Sequence, residues 1–266
     1  MTGEHQVSTW RRWQAGLRKA PSTRACFLHV PKCGGTSITR ALEAVHAPAL
    51  RGGERAHFHL VPRRSDRAAE QLGIPVAELR DALLQYHLSN GRVRLVSGHF
   101  RWRPELREQF PDVVFLTLLR EPVAHFLSSY FFQREERGQR NPITEDLATH
   151  LESERALSAA TRFVTFFGGA DTPAGAVAPA AIARARHELA RLDLVGVLED
   201  LPAFTAAYER RFDRALHIPH AHRGNLRPKA EREEVTPELR ARIEELVAPN
   251  RAVYDFVRAG MASPPR

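Results

Sequence analysis

Apolar residues fall along this chain in two alternating patterns. Four short stretches are apolar and β-prone: Cys26–Val30, Val93–Phe100 (VRLVSGHF), Val113–Leu119 (VVFLTLL) and Leu192–Leu198 (LDLVGVL). The unbroken apolar run of Val113–Leu119 is what a strand buried on both faces requires. Between and after these stretches the spacing turns helical, over Ile38–Val45, Val123–Phe132, Pro202–Arg211 and Ala248–Ala259. A further helix is announced by Thr236 as N-cap with Pro237 in its first turn. Strands followed by helices in this way predict an α/β fold, a central parallel sheet flanked by helices. The stretches Ala47–Gly91 and Phe132–Ala180 carry no readable signature.

The first strand runs into FLHVPKCGGTSI, Phe27 to Ile38. Such a strand, loop and helix is built like a phosphate-cradling unit. Gly34 and Gly35 remove Cβ atoms so that backbone N–H groups can approach an anion, Thr36 and Ser37 add hydroxyl donors, and Lys32 adds a point charge. The plainer alternative is a β-to-α turn whose glycines only make the bend. The nucleotide triphosphatase loop fits badly, because its lysine follows the glycines and its hydroxyl holds magnesium, whereas Lys32 precedes Gly34 and Gly35. A second strand–loop–helix unit follows Val113–Leu119. It ends in Arg120-Glu121-Pro122, which offers a guanidinium at the carboxyl edge of a parallel sheet, where α/β proteins bind ligands. Ser128 lies two helical turns beyond and is placed to donate to the same anion.

The pair of motifs resembles the sulfotransferases that use 3′-phosphoadenosine 5′-phosphosulfate (PAPS), and HVPKCGGTS is most similar to the carbohydrate branch that includes bacterial enzymes and the uronyl 2-O-sulfotransferases. The resemblance spans about Cys26 to Phe256. It implies that Lys32, Cys33, Gly34, Gly35, Thr36 and Ser37 hold the 5′-phosphosulfate, and that Arg120 and Ser128 hold the 3′-phosphate. It also implies transfer of a sulfuryl group to an acceptor hydroxyl on a glycan, with Lys32 stabilising the bridging oxygen and no metal required. Related enzymes place a basic loop over the nucleotide, which makes Arg227 and Lys229 in HRGNLRPK further candidates; a solvated basic loop is the alternative. Where the relatives carry a His-Gly-His segment, this chain has Ser97-Gly98-His99. His99, at a strand's carboxyl edge and with an ordinary imidazole pKa suited to neutral pH, is the expected general base. Glu121 and Glu43 are the substitutes.

The remaining histidines divide into His57 with His59, and His217 with His220 and His222. Neither set has the cysteine or carboxylate pattern of a metal site, so no metal is expected. His29, within the first strand, reads as a packed histidine.

Length and composition set outer bounds. At 266 residues the chain suffices for one α/β domain, taken as 25–266 behind a basic tail of residues 1–24. The net charge of +8 suits an anionic ligand of several kinds, a nucleotide, an acidic glycan, a membrane surface or a nucleic acid, and does not choose among them. A nucleotide kinase or triphosphatase and a non-catalytic anion or nucleic-acid binding module are the rival readings. The kinase requires a magnesium carboxylate where Leu119-Arg120 stands, and the module does not require Lys32, Arg120 and His99 to meet, so nucleic acid is disfavoured. Cys26 and Cys33 are the only cysteines, poorly placed for a disulfide, which favours a reducing compartment. With no apolar stretch of transmembrane length and no signal-peptide core, the expectation is a cytoplasmic bacterial enzyme. Trp10–Lys19 (WRRWQAGLRK) has the basic, tryptophan-bearing composition of segments that lie on anionic membranes, with a frayed tail as the alternative.

Overall fold

A computed structural model describes residues 23–47, 56–135, 142–218 and 234–262. β1 (Arg24–Leu28) leads into α1 (Gly35–His46), and β2 (His57–His59) into α2 (Pro62–Leu72) and α3 (Val76–Ser89). β3 (Leu95–Gly98) and the short α4 (Glu105–Gln109) precede β4 (Val113–Leu119), which turns into α5 (Pro122–Glu135). Then come α6 (Leu147–His150), α7 (Glu154–Ala160), α8 (Arg162–Phe167), α9 (Pro179–Leu189) and β5 (Leu194–Val197). α10 (Leu201–Phe212), α11 (Pro237–Leu246) and α12 (Ala248–Ala262) complete the described chain.

The strands form one parallel sheet in the order β2-β3-β1-β4-β5. From β1 the chain moves outward to β2, returns to β3, and only then crosses to β4 and β5 on the other side. Neighbours β1 and β4 therefore send their connections in opposite directions, and a crevice opens between their carboxyl ends.

Side-chain alternation along β4 explains its unbroken apolar run. Val113, Phe115 and Leu119 point into one core with Cys26, Leu28 and Val96, beneath α3, α8, α9 and α12. Val114, Leu116 and Leu118 point into the other with Ala25, Phe27 and Leu95, beneath α1 and α10. A third cluster gathers α5, α6, α7 and α11 beside the sheet. Among the described residues no helix is long and apolar enough to cross a membrane.

The expected strands and helices are present, with β1 lying two residues earlier than its apolar run suggested. Arg24 is the reason. Its guanidinium is buried and donates to the carbonyls of Val93 (3.0 Å), Leu88 (2.5 Å) and Asn90 (3.2 Å), and it pairs with Asp112 at 3.2 Å. One side chain thus ties the start of β1 to the end of α3, the approach to β3 and the approach to β4. Removing it strands three carbonyls that water does not reach easily. Arg24→Met is expected to destabilise the fold by roughly 2–4 kcal/mol, seen as a lower urea midpoint at an unchanged slope.

Candidate anion site at the β1–β4 crevice

The loop after β1 bends through two left-handed residues, Lys32 (φ 65) and Gly34 (φ 75). For Lys32 that conformation costs about 1–2 kcal/mol, which the surrounding contacts offset. Gly34 is the N-cap of α1; no side chain caps the helix and no acidic residue occupies its first turn. The first-turn N–H groups of α1 belong to Gly35, Thr36 and Ser37. Gly35 has a steric duty besides: a Cβ there would fall inside the His29 imidazole. A Cβ on Gly34 would meet Leu198 Cδ1 at 2.8 Å. Thr36 is exposed and Ser37 half-buried, so the hydroxyls flank the start of the helix. Cys33 contributes differently, because its amide turns inward to donate to the Val30 carbonyl at 3.3 Å. Its thiol is buried and free, and burial pushes it well above the usual range, so it packs and does not react.

Arg120, directly after β4, donates from Nη1 to the Lys32 carbonyl at 3.2 Å. Two loops from different parts of the chain are joined there, each bringing a cation to the crevice. The Arg120 segment is itself held in place. The Glu121 amide donates to Glu199 at 3.0 Å, Tyr254 donates to the same carboxylate at 3.0 Å, and the Glu121 carboxylate accepts from the Val123 and Ala124 amides and pairs with Arg251. Glu121 is therefore committed to capping α5, which removes it as a substitute base. One face of α5 lies on the Lys32 loop: His125 Nε2 donates to the Pro31 carbonyl at 3.0 Å, and the Lys32 ammonium sits 3.4 Å from the Phe132 ring centre. Ser128, half-buried, lies between His125 and Phe132 in α5, three residues after the former and four before the latter.

The histidines at the rim are largely buried. His99 does reach the rim, edge-on to His29 with ring centres 4.8 Å apart, but its pKa is not ordinary. Burial pushes it down to about 2, helped by the charges of His29, Arg80, Arg162 and His59. Burial thus disfavours the charged form of the His99 ring. His29, stacked on Phe27 and against Gly35, is lowered by burial to about 4, and His125 likewise to about 3, so these rings are neutral at pH 7. On its other side His99 lines a cavity of about 180 Å³ together with Arg80, Arg101, Ser158, Arg162 and Phe166. Within it the buried Nε of Arg162 has no hydrogen-bond partner.

Sequence reasoning set aside His57 and His59, yet they belong to this rim. Both bond the buried Ser97 hydroxyl at 2.8 Å, and His57 Nδ1 lies 3.3 Å from the Glu43 carboxylate. Glu43 is thus engaged by His57 and is no independent base. The signal was the alternation His-Phe-His, which puts both imidazoles on one face of a strand. Among the described residues no His, Cys, Asp or Glu group is arranged to hold a metal ion. Arg227, Lys229, His220 and His222 lie outside the described residues.

No protein-family model matches the chain, and no curated protein matches it at a significant level.

The fit of Gly35 against His29 is open to direct measurement. Gly35→Ala should destabilise the protein by about 1–3 kcal/mol, because the imidazole must leave its stacked position. Gly91→Ala, where a Cβ meets nothing within 4 Å, is the control. It should stay within about 0.5 kcal/mol of the parent in chemical denaturation.

Proposed function

We propose that the protein is a sulfotransferase that moves a sulfuryl group from PAPS to a hydroxyl of a carbohydrate acceptor. The single observation that carries this reading is the Arg120 guanidinium on the Lys32 carbonyl, beside a helix start that no side chain caps. A ligand with two separated anionic groups suits the two loops, one group at the Gly35–Ser37 helix start and the other at Arg120 and Ser128. PAPS has that form, and when bound it supplies the activated sulfuryl group.

The chain's own residues then divide the work. Lys32, together with the Gly34, Gly35, Thr36 and Ser37 segment, holds the 5′-side anion, and the Lys32 ammonium, which rests on the Phe132 ring, turns from it to offset charge that develops on the leaving oxygen. The Cys33 amide, already bonded to Val30, shapes the loop and does not bind directly. The acceptor enters the cavity of Arg80, Arg101 and Arg162 beside His99, a polar chamber suited to a hydroxyl-rich ring. His99, neutral and fixed against His29, holds the acceptor hydroxyl by hydrogen bonding. A cytoplasmic location, with Trp10–Lys19 against an anionic membrane surface, belongs to the same reading.

Calorimetry with three nucleotides tests it. Adenosine 3′,5′-bisphosphate should bind far more tightly than AMP, and Arg120→Ala should remove about 30-fold of that preference, the equivalent of about 2 kcal/mol for a charge-assisted pair. Equal affinities for the two would overturn the assignment. Tight, magnesium-dependent ATP binding would point to phosphoryl transfer, and steeply salt-dependent binding of DNA or RNA without nucleotide selectivity would point to a binding module.

A second measurement concerns Lys32. Lys32→Ala should lower kcat more than it weakens binding of the bisphosphate, since its contact strengthens only as the bond to sulfur breaks. Normal turnover with a raised KM alone would reduce Lys32 to a docking charge.

A further inference from the structure

We infer that His59 is the general base of this site, oriented and discharged by a relay through Ser97 and His57 to Glu43. The inference rests on the sulfotransferase reading for the reaction it serves. Its geometry stands independently.

The register pairs His57 with Leu95 and His59 with Ser97, and pairs Ser97 in turn with Phe27. All of these side chains share the α1 face of the sheet, where Leu95 and Phe27 pack on α1 and Glu43 projects from it. Phe58, between the two histidines, goes to the opposite core and stacks on His87. Four polar groups thus line up as carboxylate, imidazole, hydroxyl and imidazole, with contacts of 3.3, 2.8 and 2.8 Å.

Donor and acceptor rules fix the direction of the chain. A carboxylate only accepts, so His57 Nδ1 carries the proton and its Nε2 is left as an acceptor. Ser97 Oγ–H must donate to that Nε2, and the Ser97 oxygen accepts in turn from His59 Nδ1–H. His59 Nε2 then holds a bare lone pair. Of the four groups, His59 is the exposed imidazole at the carboxyl rim, while Ser97 is fully buried and the His57 side chain only 7% exposed. It lies close enough to His29 and His99 for its charge to depress both, and His29 rests on Gly35 at the start of the phosphate loop.

The proton step balances without any other reagent. When the acceptor hydroxyl gives its proton to His59 Nε2, the Nδ1 proton passes to Ser97 Oγ as the Ser97 hydroxyl proton passes to His57 Nε2. The acceptor oxygen keeps the electron pair that attacks sulfur. Positive charge ends on His57, where burial works against it and the Glu43 carboxylate, 3.3 Å away, works for it. The charged and titratable groups facing His59 are Glu43 from α1, His57 from its own strand, His29 from the end of β1, and His99 after β3; Lys32 acts on His29, and Arg80 and Arg162 on His99. Burial and His57 hold His59 below the usual imidazole range, with Glu43 acting against them, so the base form dominates at neutral pH.

Nitrogen NMR on histidine-labelled full chain reads the relay without turnover. His59 should be protonated at Nδ1 and bare at Nε2, and Ser97→Ala, which leaves the core volume nearly unchanged, should release that preference. A His59 protonated at Nε2 in the parent protein would overturn the proposal. Turnover is followed as release of adenosine 3′,5′-bisphosphate from PAPS with a panel of methyl glycosides. His59→Ala should lose roughly 10²–10⁴-fold in rate, and Ser97→Ala and Glu43→Gln about 10-fold each, with bisphosphate affinity kept within twofold. In the parent, kcat/KM should fall as pH drops through an ionisation below about 6.5, because protonation removes the base. A His59→Ala enzyme within threefold of the parent would also overturn it. Failure of the parent to bind the bisphosphate at all would instead bring down the sulfotransferase reading, a result the calorimetry separates from a fault in the relay.

Discussion

Burial of β1 and β4 on both faces is the constraint from which the site follows. Neither strand tolerates a polar side chain in its middle except Thr117, whose hydroxyl donates to the Leu28 carbonyl at 2.8 Å and so ties the ends of the two strands together. Strands fixed this firmly end at fixed places. The chain must become polar where they stop, and both stop at the same edge because the sheet is parallel. Lys32 and Arg120, distant in sequence, therefore arrive within one hydrogen bond of each other. Repulsion between the two cations is limited because Arg120 engages the Lys32 carbonyl while the Lys32 ammonium turns to the Phe132 ring.

That dependence explains which parts were legible in the sequence. Val113–Leu119 announced itself because both of its faces are filled, and the glycines at 34 and 35 because no other residue fits beside Leu198 and His29. β2 did not, since three residues at the sheet edge with two histidines carry no apolar signal. Helix α2 was equally silent, burying little beyond Ser65 and Ala69. Between α5 and β5, the helices α6, α7 and α8 have four, seven and six residues, too short to build a helical period. Their burial comes from tertiary packing against α5 and α9, which no local pattern encodes.

The same limit accounts for the histidines. A sequence fixes that His99 follows a strand, but its pKa belongs to what surrounds it: burial first, then charges that include Arg80 from α3 and Arg162 from α8. His57 and His59 failed a search for metal ligands because their partners are a serine and a single glutamate, joined across α1, β2 and β3. A hydrogen-bonded relay has no spacing rule of its own; only the register of β2 on β3 brings its members together.

Charge is distributed over the rim with a consistent logic. Arg80 and Arg162 in the cavity are lowered by burial from the very high guanidinium range, the former held up in part by Asp66. The imidazoles nearby are lowered chiefly by burial: His29, His99 and His125 are all driven well below their ordinary range, with neighbouring cations adding to the effect. A negative charge lies elsewhere along the same edge. Glu43 provides one on the α1 side of the sheet, away from the arginine-lined cavity, and two imidazoles and a hydroxyl connect it to the rim. The Lys32–Arg120 contact and the chain of His59, Ser97, His57 and Glu43 thus occupy adjoining stretches of one sheet edge.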